Sequence, residues 1–157
     1  GVLLNDEMDD FAVQPGVPNA FKLIGAEANS IAPGKRPLSS MSPTLVFKDG
    51  KPLLTVGAAG GPTIITQTLL LISNIIDQGM EPNAALKEPR FHQQWQPDEL
   101  KIETTFDETT LKRVEALGHH LDRSAGFGAC QCVMWDDNRK LLVPAHDPRV
   151  PGKAAGF

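Results

Sequence analysis

The pattern of apolar and polar positions changes from strand-like to helix-like near residue 60. Residues 44–48 and 52–56 are two short, mainly apolar segments on either side of Asp49-Gly50, a dipeptide that favours a tight hairpin turn. Both segments are apolar on both faces, which is typical of strands inside a layered structure. We therefore predict a β-hairpin that is covered on two sides.

A long apolar segment, residues 62–78, follows and predicts a helix. Pro62 suits the first helical position, and Gly79 suits the residue just beyond the C-terminal end. Apolar side chains cover most of the circumference, so the helix is predicted to be largely buried. The polar side chains share one stripe of the helix and are Thr66, Gln67, Ser73 and Asn74.

The second half of the chain predicts a mixture of strands and helices. Residues 100–104 have the pattern of a strand, and residues 129–135 with 140–143 predict a second hairpin. Asp107 predicts the N-cap of a helix that runs to Leu117. Strands combined with a buried helix and a second helix indicate a layered α/β or α+β domain.

Composition narrows the class of protein. The 157 residues carry a formal net charge of −4, which disfavours a nucleic-acid partner because phosphate binding needs a concentrated basic face. No apolar run reaches the roughly 18 residues that a membrane-spanning helix needs. The length suits one domain with a hydrophobic core. Cys130 and Cys132 share one face of a strand-like segment and are predicted to be core residues.

Residues 14–43 show no sustained period and are rich in proline and glycine. An irregular segment of this length is uncommon inside a compact domain, and is usually functional or disordered. Its apolar side chains argue against disorder. We predict a long ordered loop that lines a binding site.

The sequence Gly57-Ala-Ala-Gly60-Gly61 removes side chains where the predicted strand meets the predicted helix. The first N–H groups of a helix have no partner within it, and the helix dipole adds partial positive charge there. Glycine lets another molecule approach those groups closely. Gly60 and Gly61 are therefore candidates for stabilising a developing oxyanion. The alternative is a tight turn in which glycine only supplies unusual dihedral angles.

Four carboxylates lie within residues 6–10, directly after a short strand predicted at residues 1–5. Like charges so close together need water or a cation between them, and the ammonium group of a ligand would serve. The alternative is a solvated acidic turn. A metal is not expected, because no histidine lies nearby and the spacing is not that of an EF-hand.

Residues 36–43 place three serines between two prolines that stiffen the backbone. Hydroxyl groups on a rigid loop can donate to a carboxylate, and Ser39 and Ser40 are the candidates; the alternative is an ordinary polar turn. No Gly-x-Ser-x-Gly motif is present, so a serine nucleophile is not predicted. The four histidines are interpreted as structural and are His92, His119, His120 and His146.

These clusters together resemble the small subunit of the γ-glutamyltransferases, the glutathione-degrading enzymes. The matching sequences cover nearly the whole chain in the family's order: LNDEMDDF at 4–11, GKRPLSSMSPT at 34–44, GAAGG at 57–61, PRFHQQWQPDEL at 89–100 and DPR at 147–149. Of these, PLSSMSPT is particularly specific.

The resemblance implies an α+β N-terminal nucleophile hydrolase, a four-layer αββα sandwich built by two subunits cut from one precursor. This chain would supply part of that sandwich. The cut frees an N-terminal threonine, whose hydroxyl attacks the γ-glutamyl amide with its own α-amino group as base. The glutamyl group then passes to water or to an acceptor amine of an amino acid or peptide. No cofactor is implied, and a periplasmic or secreted enzyme is expected.

By position, the resemblance assigns a role to six residues of this chain. They are the ammonium ligands Glu7 and Asp10, the carboxylate donors Ser39 and Ser40, and the oxyanion donors Gly60 and Gly61. Because the chain begins at Gly1, the segment with the nucleophilic threonine is expected to be missing, and the chain alone is expected to be inactive. Its partner would be the large subunit of the same precursor, and its donor substrate glutathione or another γ-glutamyl compound.

Two other hypotheses remain open. A related acylase would cleave glutaryl or cephalosporin-type amides, and a non-catalytic homologue would have a binding or structural role. Glu7 and Asp10 favour a γ-glutamyl donor over a glutaryl one, because a glutaryl group has no α-amino group to face two carboxylates. A threonine at the expected cleavage point upstream separates an enzyme from a non-catalytic homologue.

Overall fold

The structure, a computed structural model, describes residues 1, 2 and 4–155. Its strands are β1 (Thr44–Lys48), β2 (Lys51–Ala59), β3 (Phe91–His92), β4 (Leu100–Glu103), β5 (Leu121–Ser124), β6 (Ala129–Asp136) and β7 (Leu141–Ala145). Its helices are α1 (Thr63–Ile76), α2 (Pro82–Lys87) and α3 (Glu108–Ala116), with 3-10 turns at Glu7–Asp10 and Glu27–Asn29. The strands form a four-stranded sheet, in the order β1-β2-β6-β7, and a three-stranded sheet, β3-β4-β5.

Both predicted hairpins are present and share the four-stranded sheet. β1 and β2 pair antiparallel around Asp49 and Gly50, whose φ angles of 51° and 74° fit the two positive values of a type I′ turn. β6 pairs with β2 on one side and with β7 on the other, both antiparallel. The order of the sheet therefore places the second hairpin beside the strand that leads into α1.

The prediction that the first hairpin is covered on both faces is wrong for this chain. Leu54 and Val56 are buried, whereas Leu45 and Phe47 are 60% and 56% exposed. Helices α1 and α2 supply the buried core around Leu54 and Val56, so they cover one face of the sheet. The opposite face stays open among the described residues.

Helix α1 is present close to its predicted residues, but the prediction that it is largely buried is wrong for the described residues. Ile65 and Leu69 are 55% and 64% exposed, because only the side that faces the four-stranded sheet and α2 is covered. Leu71 and Ile75 pack with the four-stranded sheet and α2 in the main hydrophobic core. Cys130 and Cys132 of β6 lie in the same core and are 0% and 4% exposed, which confirms their predicted place. None of the helices within residues 1–2 and 4–155 is long and apolar enough to cross a membrane.

The predicted strand at 100–104 and the helix after Asp107 are also present. Asp107 Oδ1 accepts a hydrogen bond from the N–H of Thr110 at 2.9 Å, which is the expected N-cap. Leu100, Ile102 and Leu111 form a second, small core between the three-stranded sheet and α3. Sequence patterns missed α2, β3 and β5, all of which are six residues long or shorter.

The strand predicted at residues 1–5 is not formed by its described members. Gly1, Val2, Leu4 and Asn5 have no regular structure, and Leu3 lies outside the described residues. Val2 and Leu4 are 87% and 84% exposed. The physical reason is that no described strand pairs with this segment, and an unpaired strand is not stable by itself.

Candidate active site

The turn between β2 and α1 strongly favours glycine. Gly60 and Gly61 have φ angles of +140° and +57°, which side chains with a Cβ rarely adopt. A Cβ on Gly60 would lie 2.6 Å from Thr63 Oγ1, and one on Gly61 would lie 3.0 Å from the Phe21 ring. Residues other than glycine are therefore excluded at Gly60 by both the backbone conformation and the available space, and a side chain at Gly61 would be crowded by Phe21.

The N–H groups of this turn are free to bind a ligand from outside the described residues. In that part of the chain, neither the Gly60 nor the Gly61 N–H donates a backbone hydrogen bond. Both lie just before Thr63, the first residue of α1, where the helix dipole is positive. Chemically, two such amides can stabilise negative charge on an oxygen atom.

The acidic segment forms a 3-10 turn, Glu7–Asp10. Glu7 is exposed and Asp10 is half-buried. Burial, followed by the negative charges of Asp6 and Asp9, raises the pKa of Asp10 above its ordinary value. Among the described residues, neither Glu7 nor Asp10 takes part in a salt bridge. A cationic ligand would relieve this repulsion.

One asparagine connects the acidic turn to the serine segment. Asn29 Nδ2 donates to the carbonyl oxygen of Asp10 at 2.7 Å, and Asn29 Oδ1 accepts from the N–H of Leu38 at 2.9 Å. Asp10 and the residue directly before Ser39 are thus held by the two sides of a single amide. The contact connects the backbones of the two segments that carry the predicted ligands.

The two serines keep hydroxyl groups available. Ser39 Oγ accepts a hydrogen bond from the N–H of Met41 at 3.1 Å, which leaves its proton free to donate. Ser42 Oγ donates a hydrogen bond to the backbone carbonyl oxygen of Ser40, also at 3.1 Å, and this contact does not use the Ser40 hydroxyl. Ser39 is exposed and Ser40 is half-buried, so both can be reached by a ligand.

A second asparagine connects the acidic turn to the glycine turn. Asn19 Nδ2 donates to the carbonyl oxygen of Asp9 at 3.1 Å, and Asn19 Oδ1 accepts from the N–H of Phe21 at 3.0 Å. The Phe21 ring is the group that packs against Gly61. Residues 14–43 therefore contact the glycine turn directly.

A cleft of about 260 Å³ lies beside this contact and is lined by Phe21, Gly60, Thr63 and His92, among others. The four predicted head-group ligands do not line it; they are Glu7, Asp10, Ser39 and Ser40. The six predicted residues are thus connected by Asn19 and Asn29, but they do not share one cavity within the described chain. His92 is buried and bonds Thr66 Oγ1 through Nδ1 at 2.8 Å.

The residues that sequence patterns missed form a buried ionic network behind the glycine turn. Arg90 Nη2 donates to Asp147 Oδ2 at 2.6 Å, and Arg90 N donates to Glu103 Oε2 at 3.0 Å. Arg149 donates to both oxygens of Glu103 at 2.6 Å. The network joins the segment before β3 to β4 and to the segment after β7.

The charges of Asp147 and Arg149 are stabilised by hydrogen bonds that outweigh the cost of burying these two groups. Burial alone would raise the pKa of Asp147, but hydrogen bonds from the N–H groups of Arg149 and Cys130 and from the Arg90 guanidinium lower it below its ordinary value. The side-chain hydrogen bond to Glu103 is the largest cause that raises the pKa of Arg149. Arg90 lies within PRFHQQW, Asp147 and Arg149 lie within DPR, and Glu103 lies in the predicted strand, but no local pattern predicted their pairing. In the described part of the chain, no group of three or more histidine, cysteine or acidic side chains could hold a metal.

Comparison with known proteins decides the family. A family model described as Gamma-glutamyltranspeptidase matches residues 1–157. The chain belongs to this family. One relative, the glutathione hydrolase proenzyme of Escherichia coli (strain K12), is 48% identical over 158 aligned residues, which are 100% of this chain and 27% of that protein.

Solved gamma-glutamyltranspeptidases have the same fold. The enzyme from Pseudomonas nitroreducens, complexed with L-DON, matches with a TM-score of 0.90 at 37% identity, over 100% of this chain and 82% of that chain. The T380A mutant of the Helicobacter pylori enzyme matches with a TM-score of 0.88 at 42% identity, over 96% of this chain and 82% of that chain. These matches confirm the predicted α+β, N-terminal nucleophile hydrolase fold. The chain spans 27% of the length of the Escherichia coli relative.

Proposed function

We propose that the protein to which this chain belongs is a γ-glutamyltransferase. It would cleave the γ-glutamyl amide of glutathione and related compounds and pass the glutamyl group to water or to an acceptor amine. The proposal is supported by membership of the family over residues 1–157 and by a relative named glutathione hydrolase proenzyme. The observation that carries it in this chain is the pair of free N–H groups at Gly60 and Gly61.

In this proposal the donor is held by its amino-acid head group. Glu7 and Asp10 bind the α-ammonium, and Ser39 and Ser40 donate to the α-carboxylate. The amide of Asn29 supports this pairing, because it connects Asp10 to the residue before Ser39. A charge-assisted hydrogen bond contributes roughly 1.5–3 kcal/mol, which is enough to select a glutamyl group over a plain glutaryl group.

The N–H groups of Gly60 and Gly61 stabilise the oxygen of the γ-carbonyl as it becomes negative. A threonine hydroxyl adds to the carbonyl carbon and its proton moves to the threonine α-amino group. The C–N bond then breaks, the amine leaves with a proton, and a glutamyl ester remains. Water or an acceptor amine attacks this ester and passes a proton to the threonine α-amino group, and the same two amides stabilise the second oxyanion. The ester C–O bond then breaks, and the threonine oxygen takes back the proton.

The remainder of the protein would supply the nucleophile and the large subunit. This is supported by the word proenzyme in the relative's name and by the 27% of its length that the chain spans. We further propose that residues 14–43 line the donor pocket, since Phe21 packs on Gly61. A periplasmic or secreted location, and acceptors that are amino acids or peptides, complete the proposal.

The experiment compares two donors that differ only in the α-amino group. The full-length protein is incubated with γ-glutamyl-p-nitroanilide and with glutaryl-p-nitroanilide, and the release of p-nitroaniline is followed. We expect kcat/KM to be about 10-fold to 100-fold higher for the γ-glutamyl donor. Equal values would favour the acylase hypothesis, and release from neither donor would favour a non-catalytic homologue.

A further inference from the structure

The peptide groups that carry the Gly60 and Gly61 N–H groups are held at their carbonyl ends. Gln67 Nε2 donates to the carbonyl oxygen of Ala59 at 3.1 Å, and Thr63 Oγ1 donates to the carbonyl oxygen of Gly60 at 2.8 Å. A peptide group is planar, so its N–H points away from its own carbonyl oxygen. Two side chains of α1, together with the Thr63 N–H that also donates to the Gly60 carbonyl oxygen at 3.3 Å, therefore set the directions of both N–H groups.

The side-chain amide of Gln67 is held in place by three hydrogen bonds and by packing. It is 1% exposed, and besides the bond to Ala59 its Nε2 donates to Thr63 Oγ1 at 2.8 Å. Its Oε1 accepts from Arg90 Nη1 at 3.2 Å. Because a guanidinium can only donate, the orientation of the Gln67 amide is determined by Arg90. The backbone at Gly128 closes the remaining side, since a Cβ there would overlap the Gln67 amide.

Arg90 is in turn fixed by the buried network. Its Nη2 donates to Asp147 Oδ2 at 2.6 Å, and Asp147 Oδ2 also accepts from the N–H of Cys130 at 2.8 Å. Cys130 belongs to β6, which pairs with the end of β2. The glycine turn, the first two turns of α1 and the two central strands are thereby connected through buried polar contacts.

We propose that Gln67 is a positioning residue for the Gly60 and Gly61 N–H groups, and that it connects them to the Arg90–Asp147 pair. The inference rests on the proposed oxyanion role of those two amides. An oxyanion site works only when its donors are held in place before the charge develops. Gln67 does not touch the donor; it acts on the reaction by holding the Ala59-Gly60 peptide and the Thr63 hydroxyl.

The kinetic test replaces Gln67 with a side chain of similar length that cannot make these hydrogen bonds. In the full-length enzyme, Gln67→Met is expected to lower kcat for γ-glutamyl-p-nitroanilide by about 10-fold to 100-fold and to leave KM within about twofold, because the oxyanion exists only in the transition state. The matched control is Leu71→Ala, one turn further along α1 and also buried. This variant is expected to lower Tm but to keep kcat, measured well below its melting temperature.

The second pair of variants tests the other hydrogen bond, from Thr63 Oγ1 to the carbonyl oxygen of Gly60. Thr63→Val removes the hydroxyl that bonds the Gly60 carbonyl, and Thr63→Ser retains it. We expect Thr63→Val to lower kcat and Thr63→Ser to keep it within about threefold of the wild type. This comparison decides the question if Gln67→Met does not accumulate as folded enzyme.

A comparison of crystal structures, made after the activity of the wild type is measured, distinguishes failure of this inference from failure of the proposed function. Wild-type enzyme that does not cleave the γ-glutamyl donor would reject the proposed function. Crystal structures of wild type and Gln67→Met then test the positioning role of Gln67 separately from activity. We expect the Ala59-Gly60 peptide plane to rotate in the variant. An unrotated plane, or a Gln67→Met enzyme with wild-type kcat, would overturn the positioning role.

Discussion

Arg90 and Asp147, 57 residues apart in the sequence, form a salt bridge in which Arg90 Nη2 lies 2.6 Å from Asp147 Oδ2. Their side chains are 6% and 0% exposed, so the pair is removed from water. The Asp147 carboxylate also accepts hydrogen bonds from the backbone N–H groups of Cys130 and Arg149. The pair therefore joins the four-stranded sheet to the segment that precedes β3.

Asp147 makes stability depend on pH in a defined direction, through the hydrogen bonds it accepts from the N–H groups of Arg149 and Cys130 and from Arg90. The pKa of Asp147 lies below its ordinary value, so its contribution is fully present above the unfolded pKa of about 3.9 and is lost as pH falls through the lower folded value. Asp147→Asn leaves the buried Arg90 charge unpaired and is expected to cost about 3–5 kcal/mol near neutral pH. Urea unfolding measured from pH 7 down to pH 3 should show a smaller acid dependence in Asp147→Asn than in wild type.

The isosteric control for this prediction is Asp137→Asn. Asp137 pairs with Lys140 at the surface, where both side chains are more than 70% exposed, at 74% and 71%. Exposed pairs contribute little to stability, so this variant should unfold like wild type. Parallel pH curves for wild type and Asp147→Asn, or equal losses in the two variants, would contradict the assignment.

Adding one methyl group to the glycine turn should impair turnover. Gly61→Ala places a Cβ at φ +57° and 3.0 Å from the Phe21 ring, which tilts the peptide that carries the proposed oxyanion donor. We expect kcat of the full-length enzyme to fall by about 10²-fold or more. Gly57→Ala is the control, because a Cβ there meets nothing within 4 Å. If Gly61→Ala had the same kcat as Gly57→Ala and the wild type, the turn would have no role in catalysis.

Asp10 is expected to affect donor binding more than turnover. Asp10→Asn removes a charge that would contact a non-reacting group of the donor, so KM for a γ-glutamyl donor should rise about 10-fold to 100-fold and kcat should change little. Asp9→Asn on the same 3-10 turn is the control and should change KM by less than about twofold. A similar KM for both variants would assign the effect to the general charge of the turn.

The two cysteines are expected to be chemically inert in the folded protein. Burial is the largest cause that raises the pKa of Cys130 to about 11 and that of Cys132 to about 12, and the thiolate is the reactive form. Dithiobis(nitrobenzoate) at pH 8 should therefore modify neither thiol until a denaturant is added. Rapid modification of either cysteine under native conditions would contradict the buried position of β6.

Local signals explain which parts of the fold could be predicted. Asp49-Gly50 and the Asp107 cap act through neighbouring residues, so the sequence alone contains the whole interaction. The parallel pairing of β5 with β4 depends on a partner about twenty residues away, and the four residues of Leu121–Ser124 carry too short a pattern. Val2 and Leu4 belong to an apolar segment that predicts a strand, but no described strand pairs with it. A local pattern alone is therefore not sufficient to form a strand.

The same distinction applies to the candidate site. Gly60 and Gly61 could be proposed as a site because a strand, two glycines and a helix start are adjacent in sequence. Gln67 was visible only as a polar residue on a buried helix, a signal that an internal partner must exist. The partner, Arg90, lies 23 residues away, and no local pattern identifies it. The contacts of Asn19 and Asn29 were hidden for the same reason, since they lie in an irregular loop.

The most direct test is a structure of the full-length protein with a γ-glutamyl group bound covalently to its nucleophile. The account predicts that the N–H groups of Gly60 and Gly61 lie about 2.7–3.1 Å from the γ-carbonyl oxygen, with Glu7 and Asp10 on the α-ammonium. A γ-carbonyl oxygen directed away from both glycine amides, or an α-ammonium distant from both carboxylates, would contradict it.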